Sequence, residues 1–277
     1  FAIIGPSGYI AKRHLSAVQK LNGRISAYLD LKISNFQGKE SNTKFFDNEH
    51  DFSDYLSISE IDYLIVCSPN YLHLRHIRLG LSANIDVICE KPIVLSMDDF
   101  KELEELESHS KASVFTIYQL RLHEINNLVR ELIRDDNTCM LTYVARRDEE
   151  YYKSWKVDEN KSGGILFNLG IHYFDFLISH FGIPSNVKLN DKSAFRASGE
   201  MQFNNLHAEW LFSIDPDDLS PDLDVKREFT INGNDIDFSG GFKDLHFESY
   251  KNIFNGSGYG LNCAKPSIEI VDRILRL

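Results

Sequence analysis

About the first 115 residues of this 277-residue chain alternate short, unbroken apolar runs with helical patterns, and that rhythm admits few folds. The spacing predicts strands at Phe1–Gly5, Arg24–Asp30, Asp62–Cys67, Asn84–Cys89 and Ser113–Tyr118. Helices are predicted between them at Ile10–Leu21, Tyr71–Ser82 and Met97–Ser108, with Ser96 and Asp99 forming a capping box at the last. Strands without polar alternation are buried on both faces, as in a parallel sheet covered by helices. The expected architecture is doubly wound α/β, with its ligand crevice outside the carboxyl ends of the strands.

Beyond about residue 120 the pattern changes. A helix near Glu124–Arg134 leads into alternating strands such as Met140–Ala145 and His207–Ser213, then Glu228–Ile231 and Asp235–Phe238 around an Asn232-Gly233-Asn234 turn. One apolar helical stretch, Gly164–Phe181, interrupts them, and helices at Asp244–Phe254 and Ser267–Leu277 close the chain. Residues 1–118 therefore read as one domain, and residues 119–277 as an α/β domain with a mainly antiparallel sheet. Asp215–Asp224 reads as a solvated loop.

A formal net charge of −11 argues against nucleic acid and anionic membrane surfaces as partners. No stretch approaches the roughly 20 apolar residues of a membrane span. The first residues read as a buried strand rather than a signal peptide, and residues preceding Phe1 are expected because no initiator Met is present. Cys67, Cys89, Cys139 and Cys263 lie far apart without metal-ligand spacing, so no metal is expected. Buried free thiols at Cys67 and Cys89 fit a reducing cytoplasm.

Gly5-Pro6-Ser7-Gly8-Tyr9-Ile10 joins a strand to a helix, where backbone N–H groups and a helix N-terminus approach a pyrophosphate. Ser7 stands where the second glycine of the usual fingerprint falls, so the motif alone also fits a structural turn. Asp30 ends the next strand 22 positions after Gly8, where a carboxylate accepts from both ribose hydroxyls and repels a 2′-phosphate, favouring NAD over NADP. Its bland alternative is a surface residue ending a strand.

At the end of the third strand, Ser68, Asn70 and His73 fall at the crevice. Glu90-Lys91-Pro92 follows directly on the strand Asp86–Cys89; either the crevice uses this tripeptide or it forms a surface ion pair and turn. Asn168 and His172, four apart, share a face of a buried helix preceded by Lys161-Ser162-Gly163-Gly164. His172 is a candidate acid/base there, the alternative being a satisfied core histidine.

These pieces in this order resemble the Gfo/Idh/MocA oxidoreductases: the glycine turn, Ser68-Pro69-Asn70 with His73, Glu90-Lys91-Pro92, and a mid-chain helix carrying His172. The resemblance implies a Rossmann domain and an α/β domain with a large open-faced, mainly antiparallel sheet. It implies that Lys91 and His172 meet at the substrate and that Lys91–Pro92 is cis. Cofactor contacts are then expected from Gly5, Ser7, Gly8, Tyr9, Ile10, Asp30, Ser68, Asn70, His73, Glu90 and Lys91.

Gly8–Ala11, Gln119–His123, Lys153–Lys156, Gly170–Asp175, Gly241–His246, Gly258–Gly260 and Pro266–Ile270 are similar to a narrower group, the UDP-N-acetylglucosaminuronate dehydrogenases. That group oxidises the sugar 3-hydroxyl of UDP-N-acetyl-2-amino-2-deoxyglucuronate on the way to diamino-uronic acids of bacterial surface polysaccharide (O-antigen). Asn168, where many members of the wider family carry Asp, agrees with it. The likeness implies His172 as base and Lys91 as hydrogen-bond donor to the same hydroxyl, or the two exchanged. Asn168, Trp155, Arg121, Lys153 and Lys156 are the expected substrate contacts; Arg121 ranks first for a carboxylate or diphosphate, and Lys161 is a further candidate. A homo-oligomer, dimer or tetramer, is expected by analogy. An inositol or free-sugar dehydrogenase, or a non-enzymatic nicotinamide-nucleotide sensor, are the alternatives.

Overall fold

The strands of the first sheet are three or four residues long, and the runs at its centre, Ala2-Ile3-Ile4 and Leu64-Ile65-Val66, are buried without a break. The computed structural model describes residues 1–31, 43–238 and 240–277. These divide into two units, Phe1–Tyr118 with Asp244–Ala264, and Gln119–Lys243 with Lys265–Leu277.

The first unit runs β1 (Ala2–Ile4), α1 (Ala11–Lys20), β2 (Ala27–Leu29), β3 (Lys44–Phe46), α2 (Glu49–Ile58), β4 (Tyr63–Val66), α3 (His73–Ser82), β5 (Asp86–Cys89), α4 (Met97–Ser108) and β6 (Val114–Thr116). Its six strands are all parallel in the order β3-β2-β1-β4-β5-β6. The order reverses between β1 and β4, so the crevice opens beside the Gly5 turn that follows β1. Ser96 Oγ accepts from the Asp99 N–H at 3.0 Å and starts α4, as its spacing predicts. The sequence pattern did not mark β3 and α2. Lys44-Phe45-Phe46 is a short, largely exposed edge strand that buries no continuous apolar run.

The second unit contains α5 (Ile125–Leu132), β7 (Asn137–Ala145), α6 (Glu149–Tyr152), α7 (Glu159–Ser162), α8 (Ile171–Phe181), β8 (Asn186–Lys192), β9 (Arg196–Gln202), β10 (Leu206–Ser213), β11 (Val225–Ile231) and β12 (Asn234–Asp235). Its sheet has the order β12-β11-β7-β10-β9-β8. All neighbours are antiparallel except β7 and β10, which run parallel at the centre. The sheet is thus mixed: the segment from α6 through β9 returns the chain to β7 in the same direction. Asn232 and Gly233 both take positive φ, the geometry of a two-residue hairpin turn between β11 and β12. Gly199 lets the Trp210 ring lie against β9, since a Cβ there would fall 2.5 Å from that ring. On the buried face, Phe174 of α8 packs edge-on against Trp210 and Phe212 at 5.2 and 5.4 Å. Each such pair adds about 0.5–1.5 kcal/mol beyond area burial.

The stretch Gly164–Phe181 is helical throughout, with a π-helical turn over Leu166–Gly170 leading into α8. One segment departs from the expected layout. Asp244–Ala264, placed by the sequence with residues 119–277, returns to the first unit through α9 (Leu245–Phe254) and the first residues of α10 (Leu261–Leu275). Tyr250 and Ile253 join the core of Ile3, Ala11, Val18 and Ile65, and Phe254 stacks on Phe1 and Tyr63. Those aromatics had no assigned partner in the sequence pattern.

Candidate active site

Gly5 follows β1 with φ of +77°, and a Cβ there would come within 2.9 Å of the Cys67 carbonyl oxygen. The turn is therefore pressed against β4, which only glycine allows. At Gly8 a Cβ would meet the Gly5 oxygen at 3.3 Å. Helix α1 then starts after Ile10, with no side-chain cap and no acidic residue in its first turn. Uncapped N–H groups at a glycine turn are a pyrophosphate site. Asp30 lies at the end of β2, and its Oδ2 accepts from the Ser7 N–H at 3.0 Å. Serine at this position thus contributes a backbone donor that holds the Asp30 carboxylate beside the turn. Tyr9 is 78% exposed. This donor set and its single carboxylate fit an NAD adenosine diphosphate.

Glu90 is buried, which removes the reading of a surface ion pair. Its Oε1 lies 2.8 Å from His14 Nε2 and 2.9 Å from His246 Nε2, while His14 Nδ1 lies 2.7 Å from Tyr250 Oη. One arrangement satisfies all three contacts: Tyr250 donates to His14 Nδ1, and each imidazole donates its Nε2–H to Glu90. The same groups have the composition of a cation site, but here they close as hydrogen bonds. Burial alone would raise the Glu90 carboxyl. The two histidines outweigh it and hold the group well below the carboxylate range. Burial lowers His14 against the pull of Glu90, so an ionised carboxylate lies beside a neutral His14 ring. Lys91 follows directly, half-buried, and the Lys91–Pro92 peptide is cis.

His73 is fully buried, with Nδ1 2.7 Å from the Pro92 oxygen and Nε2 2.9 Å from the Ser68 oxygen. Both ring nitrogens face backbone, so His73 braces the loops after β4 and β5 rather than presenting a nitrogen to a ligand. Ser68 Oγ is itself engaged by His76 Nδ1 at 2.8 Å, and Asn70 is buried in the same loop.

In the second unit, His172 opens α8 and is half-buried. Asn168 lies in the π-helical turn one step before it, and its Nδ2 donates to Tyr151 Oη at 2.9 Å. Such turns recur at functional positions because they re-aim side chains within a helix. Arg121, ranked first among the cations, is committed elsewhere: Nε and Nη2 reach Asp175 Oδ2 and Oδ1 at 2.8 and 2.6 Å. This buried fork holds the Gln119–Leu122 turn to α8. Lys153 pairs with Glu149 and Glu150, and Lys161 with Asp158. Trp155 and Lys156 are half-buried in a short 3-10 turn.

His14, His246, Tyr250, Asp175, Arg147 and Tyr151 were missed as candidates. His14 had a signal: it interrupts the buried stripe Ala11, His14, Ala17, Val18 of α1. His246 and Tyr250, four apart, share one face of α9. Among the described residues, no helix is long and apolar enough to cross a membrane.

A family model described as the NAD-binding Rossmann fold of the GFO_IDH_MocA oxidoreductase family matches residues 1–118, and the model for that family's C-terminal alpha/beta domain matches residues 137–218. Among solved structures, the WlbA (WbpB) dehydrogenase of Thermus thermophilus in complex with NAD and UDP-GlcNAcA is 34% identical. That match covers 100% of this chain and 94% of the Thermus chain with a TM-score of 0.92. The WlbA dehydrogenase of Bordetella pertussis, 19% identical over 100% of this chain and 95% of its own, shares the fold at a TM-score of 0.82. Among curated proteins, scyllo-inositol 2-dehydrogenase (NADP(+)) IolW of Bacillus subtilis is 26% identical over 174 residues, 60% of this chain and 48% of IolW. D-glucoside 3-dehydrogenase of Escherichia coli is 26% identical over 226 residues, 76% of this chain and 61% of its own. The chain thus spans less than two thirds of the length of these curated relatives.

Proposed function

The chain belongs to the Gfo/Idh/MocA oxidoreductase family, and from that membership we propose that it oxidises the sugar 3-hydroxyl of UDP-N-acetyl-2-amino-2-deoxyglucuronate with NAD. The observation that carries this reading is the full-length likeness to the Thermus dehydrogenase, whose crystal holds NAD and UDP-GlcNAcA. The glycine turn with Asp30 supports NAD as the acceptor.

Gly5, Ser7, Gly8, Tyr9 and Ile10 would hold the diphosphate and Asp30 the adenosine ribose; the loops of Ser68, Asn70, Glu90 and Lys91 would border the nicotinamide. Bound NAD supplies the hydride acceptor. In this reading the His172 imidazole takes the proton of the 3-hydroxyl. The Lys91 ammonium hydrogen-bonds the same oxygen and stabilises the charge that develops on it. Asn168 orients the sugar through its amide. Glu90 keeps its own charge within the histidine cluster, so the residue beside Lys91 does not compete for protons. Diamino-uronic acid synthesis for surface polysaccharide, in a reducing cytoplasm and as a homo-oligomer, completes the proposal; the free thiols support the compartment.

The test is NAD reduction by purified protein over a panel of UDP-N-acetylglucosaminuronate, UDP-N-acetylglucosamine, inositol and free sugars. Turnover is expected with the uronate, and Lys91→Ala should retain the fold while losing most of it. Turnover confined to inositol or a free sugar, or a Lys91→Ala variant as active as wild type, overturns the reading.

A further inference from the structure

Within the second unit, three of the four expected substrate cations are neutralised by their own carboxylates, and the fourth is not. Arg121 is forked to Asp175, Lys153 lies by Glu149 and Glu150, and Lys161 by Asp158. Lys156 has no carboxylate within 4 Å among the described residues, and neither has Arg147, just past the end of β7. Both cations converge on one ring. Arg147 Cζ lies 5.0 Å and Lys156 Nζ 5.5 Å from the centroid of Tyr151. Arg147 Nε is buried with no hydrogen-bond partner among the described residues. Tyr151 Oη is occupied by Asn168 Nδ2 at 2.9 Å, which ties the group to the residue one turn from His172.

This arrangement is electrostatically incomplete. Two like charges held at one ring repel, and a cation–π contact returns only about 0.5–2 kcal/mol each. Burial first, then the Arg147 charge, lower the Lys156 ammonium. Asp148 is the carboxylate whose field opposes this, but its Oδ1 is committed to the Tyr151 N–H as the cap of α6. A planar or tetrahedral anion would supply charge-assisted acceptors to both cations and remove the repulsion. The arginine fork suits either a carboxylate or a phosphate.

We infer that Arg147 and Lys156, set about the Tyr151 ring, form an anion subsite for the substrate, taking an acidic oxygen group borne by the uronate carboxylate or the diphosphate. The inference rests on the proposed sugar-nucleotide reading and reassigns its anion contacts from Arg121, Lys153 and Lys161 to a pair that includes an arginine the sequence motifs did not single out.

The intact protein is treated with an amine-acetylating reagent, and labelling of Lys156 is read by peptide mass spectrometry with and without UDP-N-acetylglucosaminuronate, UDP-N-acetylglucosamine, UDP and inorganic pyrophosphate. Affinities of the same ligands are measured for wild type, Arg147→Gln, Arg147→Lys and Lys156→Gln, with thermal melts confirming that each variant folds. The expected result is at least fivefold protection of Lys156 by an anionic ligand, and at least tenfold weaker binding in Arg147→Gln with partial recovery in Arg147→Lys. Loss confined to the uronate identifies its carboxylate as the group held; loss extending to UDP and pyrophosphate identifies the diphosphate. Unchanged affinities with an unprotected Lys156 overturn the subsite, even if the uronate is turned over. If pyrophosphate protects Lys156 in an Arg147-dependent way while the uronate is neither bound nor oxidised, the subsite stands and the substrate reading falls.

Discussion

Glu90 Oε1 lies 2.8 Å from His14 Nε2, and the two buried side chains join the end of β5 to the middle of α1. The residue before Lys91 is thus fixed by a side chain 76 positions earlier, with His246 of α9 making the same contact from the far end of the sequence. Hydrogen bonds to a charged group are worth about 1.5–3 kcal/mol, and the buried carboxylate left behind would be costly. His14→Ala is expected to lower unfolding free energy by about 2–4 kcal/mol in chemical denaturation, with reduced turnover from a displaced Lys91. Wild-type stability in that variant would contradict the assigned network.

Buried histidines set the response to acid, His14 of this cluster among them. Burial lowers His14, His73 and His76 below their usual 6.5, and lowers His180 to about 4. Each of these rings binds its proton more readily in the unfolded chain, so stability is full above about pH 6.5 and drains as pH falls through the lowered values. The depressed Glu90 carboxyl adds a further loss below its usual 4.5. Melting between pH 7.5 and 5 should show a fall of at least about 4 °C, and a flat or rising profile would contradict the neutral-ring assignment.

Asp30 governs the choice of dinucleotide. Its carboxylate, held at the turn by the Ser7 N–H, would lie where a 2′-phosphate must sit in NADP. Asp30→Ser should raise the kcat/KM ratio of NADP to NAD at least tenfold, mostly through KM for NAD. An unchanged ratio would mean that Asp30 does not read the ribose.

The sequence showed the first sheet well because its strands are buried on both faces, leaving uninterrupted runs that periodicity detects. Gly5, Asp30 and Lys91 were visible for the same reason, each marking the end of such a run. β8 and β9 were not visible: Asn186–Lys192 is a polar edge strand, and Arg196–Gln202 has at its centre the small residues Ala197, Ser198 and Gly199, the last leaving room for the Trp210 ring. The cluster on Glu90 was hidden by distance, since no local spacing links His14 to His246. Arg121 illustrates the opposite case. Its place after the last strand suggested an anion contact, and the partner the structure gives it, Asp175, lies 54 residues away on α8.

That pair makes its own prediction. Breaking a buried fork by removing one partner costs about 3–5 kcal/mol. Asp175→Asn should lose stability on that scale in chemical denaturation, and Arg121→Lys should lose part of it because an ammonium cannot span both oxygens. If Arg121→Lys keeps full stability but loses ligand affinity, Arg121 is an anion contact after all.

The central claim is oxidation at the sugar C3 by NAD, and isotope transfer tests it most directly. UDP-N-acetylglucosaminuronate carrying deuterium at C3 is incubated with the protein and NAD, and the reduced cofactor is weighed by mass spectrometry. The account predicts reduced cofactor one mass unit heavier than from unlabelled substrate, with a 3-keto product and loss of both in Lys91→Ala. Unlabelled reduced cofactor, or none with this sugar nucleotide while another polyol is oxidised, would contradict it.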